Sequence, residues 1–397
     1  MSITQFEYYQ QQKMHPDNLS VDDVMTLNKH YEMRINLYQN LLRLPVSLFS
    51  GKEVLELGCG TGENALVLAL NNAKLTLLDA DHNVEPHINT LFNRFNVTRQ
   101  IQKIVFCNID KFDVSMTFDL VTAEGFINNM NNRNEILIKI CHFIKNGGFG
   151  IISFPERFGA FLEFIKKTVV WRMYQLSNID NIFSNDALII AKELLENNYK
   201  RLPQTRNFEV WWKDCIVSPF LTYNDCWDYK EILDLIGKHG CIFYSSIPRI
   251  YEPDHLEWYK KLQSSNERYG SIISNYTLRR FDFLFGEEMN ITCKDENIIQ
   301  KLIHEINNII NILSVYFRHI GQLVPKINFG PTAKLFEDVG IKHDIVHELI
   351  HFFDLLQSAT SIELHEGYKK LKKLNNTWGK TYHYLCFIKE KPFLMNS

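Results

Sequence analysis

The chain has 397 residues, of which 45% are apolar and 22% charged, with a formal net charge of −3 at pH 7. That is enough apolar residue for a packed interior and long for one domain, so a core with a large insertion, or two domains, is expected. The near-neutral balance gives no electrostatic footprint for nucleic acid or an anionic membrane, and no uncharged apolar run reaches the ~18 residues of a spanning helix. The eight cysteines form no C-x-x-C pair, which suits free thiols in a reducing compartment. The polar start, Met1 to Pro16, lacks an apolar signal core. A cytoplasmic protein with no nucleic-acid or membrane partner is expected.

Residues 1–50 read as a helical cover, with apolar positions at Val24, Met25, Leu27, Tyr31, Ile35, Leu37, Leu41 and Leu42. The cover ends at Leu44-Pro45 and at the Ser50-Gly51 turn. Tyr31, Arg34 and Tyr38 share one helical face. Two readings stay open for them: a cofactor cover in which Arg34 meets a carboxylate, or core tyrosines with a solvated arginine.

The next stretch organises the chain. Val54-Leu55-Glu56-Leu57 reads as a short buried strand, followed by Gly58-Cys59-Gly60-Thr61-Gly62 and an apolar helical run from Ala65 to Leu70. Strand, glycine turn and helix together hold nucleotides, because glycine permits close backbone approach and the helix start offers unpaired N–H groups. Gly60, Gly62 and Ala65 also satisfy the G-x-G-x-x-A dinucleotide pattern, so a nicotinamide-dependent enzyme competes at this point. Lys74 to Asp79 reads as a second strand, and Asp79 falls near the ~20-residue distance expected of a ribose-binding acid. Asp81 is its rival. Ile104 to Asp110 reads as a third strand and Phe118 to Phe126 as a fourth, with Asn128-Asn129 after it. A helix over Ile136–Ile144, a turn at Asn146-Gly147-Gly148 and a fifth strand over Phe149–Phe154 follow.

The pattern Glu56-x-Gly58-x-Gly60-x-Gly62, with acids at the ends of the following strands, resembles class I S-adenosylmethionine-dependent methyltransferases. The resemblance covers residues 30–155 well and 236–248 and 380–390 loosely. It implies an α/β fold, a Rossmann-like seven-stranded, mostly parallel sheet with helices on both faces and the last strand antiparallel, plus a largely helical lid. It implies S-adenosyl-L-methionine as cofactor and S-adenosyl-L-homocysteine as product. By the same carry-over, Gly58, Cys59, Gly60 and Gly62 would hold the methionine part, and Glu56 would anchor the turn and the ammonium region. Asp79 would bind the ribose, with Ile109 and Asp110 at the adenine. Asn64, Ala80, Glu124, Tyr31 and Arg34 complete the cofactor set.

Two more strands are expected far downstream, at His239–Ser246 and Thr381–Lys389, so the chain makes two helical excursions. The resulting organisation is a cover (1–50), a cofactor core (51–155), a lid (156–235), a core strand (236–248), a second insertion (249–378) and a last strand (379–397). The first excursion carries Trp171, Tyr174, Trp211, Trp212, Trp227 and Tyr229, which either line a substrate pocket or cement the insertion. Glu209 and Asp214 lie among them as candidate bases. The second carries an amphipathic run from Ile298 to Ile320, expected to pack on the lid or on a second subunit, which leaves a homodimer open.

His347-Glu348-x-x-His351 has the zincin spacing, and His343 extends that face. Three readings stand: surface histidines, a general base near neutral pH, or a metal site. No metal is assigned. The candidate catalytic set is Asn128, Asn129, His347, His351 and Asp214. The expected function is methyl transfer to oxygen or nitrogen of a small molecule or short peptide, closed under an aromatic lid. A non-catalytic cofactor-binding protein and a bifunctional protein with a metal site are the alternatives.

Overall fold

The computed structural model describes residues 5–12, 14, 23–202, 207–252, 264–317, 322–341 and 344–390. Seven strands form one sheet: β1 (Glu53–Leu57), β2 (Lys74–Asp79), β3 (Ile101–Phe106), β4 (Phe118–Ala123), β5 (Ile144–Pro155), β6 (Cys241–Ile247) and β7 (Tyr382–Lys389), in the order β3-β2-β1-β4-β5-β7-β6. β3, β2, β1, β4 and β5 run parallel, and β6 and β7 pair antiparallel. Near-continuous burial along β1, β2 and β4 fits strands covered on both faces. The expected strands are all present, including the two distant ones. The Asn146–Gly148 segment expected as a turn is absorbed into β5. A register shift against β4 takes it up, and Gly147 has φ +82°.

The chain divides into two units. The sheet unit comprises 1–154, 227–273 and 383–397. Its helices are α1 (Gln5–Gln12), α2 (Val24–Asn36), α3 (Glu63–Leu70), α4 (Glu85–Arg94) and α5 (Arg133–Phe143). The helical unit comprises 155–226 and 274–382. It begins with α6 (Phe161–Leu176), α7 (Asn185–Tyr199) and α8 (Phe208–Trp211). The chain then returns to the sheet unit through α9 (Tyr229–Gly237) and leaves it along α10 (Ser265–Phe285). The helical unit is completed by α11 (Glu296–Tyr316), α12 (Gly330–Asp338), α13 (Asp344–Leu355), α14 (Ser361–Lys370) and α15 (Lys372–Asn376).

These boundaries differ from the sequence expectation, which ran the excursions over 156–235 and 249–378. Residues 227–235 belong with the sheet because α9 buries Tyr229, Ile232, Leu233 and Ile236. Trp227 and Tyr229 also pack edge-on against Phe154 of β5, at 5.8 and 5.3 Å between ring centroids. The other aromatics of that stretch form the interior of the helical unit. Trp212 Nε1 donates to the Tyr174 hydroxyl at 2.9 Å, and Trp171 Nε1 donates to the Ile216 carbonyl at 3.0 Å. Buried with their polar atoms satisfied, they cement the insertion. The apolar stripe of α11 is likewise consumed internally, with Leu302, Ile306, Ile310 and Leu313 fully buried in the helical unit's own core. Among the described residues no helix is long and apolar enough to cross a membrane.

Two lysines of α6 are buried in that core. Lys166 Nζ donates to the carbonyls of Leu374 and Thr377 at 2.9 and 2.6 Å and lies 4.5 Å from the Trp378 ring. Lys167 Nζ donates to the Ser218 carbonyl at 2.6 Å. Burial lowers their pKa values to about 7 and about 8 from an ordinary 10.5. Between those values and 10.5 the unfolded chain binds more protons than the folded one, so stability rises with pH and is least below pH 7. Urea unfolding of Lys166→Met at pH 6 and pH 9 checks this. The variant is expected to show a smaller gain from pH 6 to pH 9 than the wild type, and an equal gain would contradict the assignment.

Candidate active site

The carboxyl ends of β3, β2, β1 and β4 converge on the turn after β1, where open parallel sheets bind ligands. The turn is made by glycines in the left-handed region. Gly58, Gly60 and Gly62 have φ of +68°, +50° and +92°, and Gly62 is the residue that starts α3. The Gly58 and Cys59 N–H groups donate to the Leu78 carbonyl at 2.8 and 3.0 Å, tying the turn to β2. A Cβ at Gly58 would lie 2.8 Å from the Phe126 ring, whereas the space above Gly60 is open. Gly60 is therefore the point where a ligand can approach the backbone.

Asp79, at the end of β2, fixes this geometry. One carboxylate oxygen accepts the Gly60 N–H at 2.7 Å and the other accepts the Asp81 N–H at 2.9 Å. Burial raises its pKa against those two bonds. Asp81 is occupied in capping the short turn His82–Val84 through the Asn83 N–H at 3.0 Å, which separates the two rivals. Ala80 lies half-buried between them. Beyond β3, Ile109 is buried and Asp110 is exposed, and Asp110 accepts from Asn132 Nδ2 at 2.6 Å. Cys59 is a buried thiol whose pKa burial raises.

Four carboxylates face one another beneath the turn. Glu56, on β1 beside Thr122 of β4, is 6% exposed. Burial, then the neighbouring Glu124, pushes its pKa up to about 8 against the attraction of Arg34, with Glu63 and Asp79 adding to the repulsion. Glu63 accepts from the Thr61 hydroxyl at 2.5 Å, and His87 Nε2 lies 3.3 Å from its carboxylate. Glu124 is paired with Arg34 of α2 through two bonds of 2.7 Å, and Arg34 also donates to the Tyr38 hydroxyl at 3.2 Å. Burial alone would raise the Glu124 carboxyl. The guanidinium overrides it and holds the carboxyl below its ordinary value, with Tyr384 of β7 contributing a hydrogen bond. Arg34 does meet a carboxylate, as one reading of α2 anticipated, and the carboxylate is the chain's own. Tyr31 receives a bond from Asn71 Nδ2 at 3.4 Å on the outer side of α3.

The remaining candidates scatter. Asn128 and Asn129 form the short turn Ile127–Asn129 after β4, Asn128 Nδ2 donates to Asn129 Oδ1, and Asn128 Oδ1 is buried without a partner among the described residues. Asp214 is half-buried in the helical unit. His347 and His351 are exposed on α13, and His343 lies outside the described residues. Glu348 between them accepts the Lys373 and Leu374 N–H groups at 3.1 and 2.7 Å, so it serves as a cap for α15. Residues the sequence analysis did not single out are Phe126, Tyr384 and His30. His30 faces Asn64 and the Glu63 backbone from α2, and its four-residue spacing to Arg34 and Tyr38 was the available signal.

A family model described as "Methyltransferase domain" matches residues 28–211. No curated protein matches the chain's sequence. Among solved structures, the chain is similar to TehB from Haemophilus influenzae, with 21% identity over 28% of this chain and 38% of that one at a TM-score of 0.26. It is similar to the CcbJ methyltransferase from Streptomyces caelestis, with 18% identity over 33% of this chain and 59% of that one at a TM-score of 0.26. The [4+2]-cyclase SpnF is matched at 10% identity over 91% of this chain and 80% of that one, at a TM-score of 0.37. The chain thus spans less than two thirds of the first two, and likenesses at these scores say nothing about substrate.

The buried pair Arg34–Glu124 gives a stability test. Its side chains are 7% and 13% exposed. Arg34→Met or Glu124→Gln alone is expected to cost about 3–5 kcal/mol, because each strands one polar partner in the interior. The double variant should lose clearly less than the sum, and denaturant unfolding that shows simple additivity would contradict the pairing.

Proposed function

The chain carries a class I S-adenosylmethionine-dependent methyltransferase fold with large helical insertions, and from that premise we propose that it transfers the cofactor's methyl group to an oxygen or nitrogen of a small molecule or short peptide end. The observation that carries this reading is the left-handed glycine turn after β1, open at Gly60, with Asp79 at the end of β2 holding the Gly60 N–H and the buried Glu56 on β1 beside it. A cationic cofactor with an adjacent ribose fits that arrangement. An anionic ligand would add to the repulsion.

S-adenosylmethionine supplies, when bound, a sulfonium methyl already activated for in-line displacement. The chain's own residues then have three tasks. The Gly58–Gly62 backbone and Glu56 hold the charged end, and a cation beside Glu56 draws its carboxyl into the ionised form at neutral pH. Asp79 accepts hydroxyl protons of the ribose while keeping Gly60 in place. Ile109 and Asp110 stand at the end of β3 for the base. Alignment and exclusion of water are the main demands of such a displacement, and a proton acceptor is needed only where the nucleophile carries a proton. Asn128 and Asn129 stand at the end of β4 as the acceptor-side candidates.

The balanced surface charge and the absence of a basic stripe in the sequence support a small acceptor over nucleic acid. The helical unit is the part that a minimal fold of this type lacks.

Methyl-labelled S-adenosylmethionine, incubated with the protein and an extract of its source cell, tests the reading. Label is expected in the small-molecule or short-peptide fraction, and Asp79→Ala should reduce its incorporation at least ~10-fold, the loss of a charge-assisted contact. Label confined to large proteins or nucleic acid would overturn the acceptor class. Label transfer unaffected by Asp79→Ala would overturn the site.

A further inference from the structure

A pair of thiols stands where the end of α5 meets the start of β6. Cys141 lies in the last turn of α5 and Cys241 is the first residue of β6, and both are buried within the sheet unit. Their side chains share a hydrogen bond, although the two residues lie far apart in the chain. Other contacts hold the same joint. Lys389 of β7 stands opposite Cys241 in the β6–β7 ladder, and its Nζ donates to the Cys141 carbonyl at 2.7 Å. The rings of His142 and His239 meet edge-on at 5.4 Å between centroids. The Glu390 N–H donates to the Gly240 carbonyl at 2.9 Å. Among the described residues β6 is an edge strand of the sheet, and Gly240 and His142 are exposed beside the two thiols.

The two thiols are not equivalent. The bond from Cys141, aided by the Lys389 ammonium, lowers the Cys241 pKa against its burial, whereas the same bond and burial raise that of Cys141. Cys241 is therefore the readier nucleophile. We propose that Cys141 and Cys241 are an oxidation site for hydrogen peroxide, closing to a disulfide that fastens the edge strand β6 to α5. The Cys241 sulfur attacks a peroxide oxygen, the O–O bond breaks, and the departing hydroxide leaves as water with the Cys241 thiol proton. The Cys141 sulfur then attacks the sulfenic sulfur. The S–S bond forms, the S–O bond breaks, and a second water carries off the Cys141 proton. The thiols together lose two electrons and the peroxide gains them. The end of an edge strand is where local opening admits an oxidant of that size. Because α5 runs directly into β5, this joint stands at the amino end of β5, on the opposite edge of the sheet from the glycine turn. The bond spends no residue of the candidate site, and it keeps an edge strand, the part of a sheet most open to pairing with other chains, in its register.

Hydrogen peroxide applied to the reduced full chain tests this, followed by thiol blocking under denaturing conditions and mass spectrometry of non-reduced digests. The expected product is a cross-linked peptide pair that carries Cys141 and Cys241 and is released by a reductant. Amide exchange across residues 133–143 and 241–247 should slow at least ~10-fold in the oxidised protein, because a cross-link closing a long loop restrains opening. Cys141→Ala should abolish both the cross-link and the slowing. Sulfinic acid on Cys241 with Cys141 left free, a disulfide through another cysteine, or no oxidation at either thiol would overturn the pairing. A Cys141–Cys241 link that leaves exchange in β6 unchanged would overturn the fastening. Should Cys141→Ala not fold, the wild type before oxidation, after it and after re-reduction gives the same comparison. Exchange that stays slow once the link is reduced would contradict the proposal.

Discussion

Mutual repulsion among buried carboxylates is the constraint on which the sheet unit turns. Glu56, Glu63, Asp79 and Glu124 converge under one glycine turn, and Arg34 is the guanidinium that answers them. The sequence places Arg34 on a separate helix, so the cover helix α2 is held to β4 by electrostatics as well as by apolar packing. Asp79 accepts from two backbone N–H groups and Glu63 from the Thr61 hydroxyl. Glu56 lies buried beside them. Burial and the neighbouring acids keep that carboxyl largely protonated at neutral pH, and a cation beside it would draw it into the ionised form.

Much of this was legible in the chain. Short apolar strands ending in Asp79, Asp110 and Glu124, interleaved with amphipathic helices, read directly as a parallel sheet with its ligand edge at those acids. The distant strands β6 and β7 were readable because alternating aromatics and β-branched residues end each excursion. What could not be read were facts of partnership. Nothing in the local pattern distinguishes an Arg34 that binds ligand from one that binds Glu124, since both place the same residue on the same helical face. Asp81 and Asp79 differ only in which backbone N–H groups they meet. The HExxH spacing at His347 gives no sign that Glu348 caps α15. The boundary at Trp227 was missed because an aromatic-rich run carries no mark of which core it joins.

The helical unit follows a different economy. Its aromatics, the α11 stripe and the buried Lys166 and Lys167 are spent on internal packing, with each polar head satisfied by a backbone carbonyl or a neighbouring hydroxyl. The sheet unit buries its acids around the glycine turn, and the helical unit buries Lys166 and Lys167 against backbone carbonyls.

The central claim is that the glycine turn and the strand ends beside it hold S-adenosylmethionine. Amide hydrogen exchange, followed by mass spectrometry with and without the cofactor, tests it most directly. The account predicts slowed exchange in residues 56–64, 79–81 and 108–110 and in α2. Protection confined to the helical unit, or no change in exchange anywhere at saturating cofactor, would contradict it.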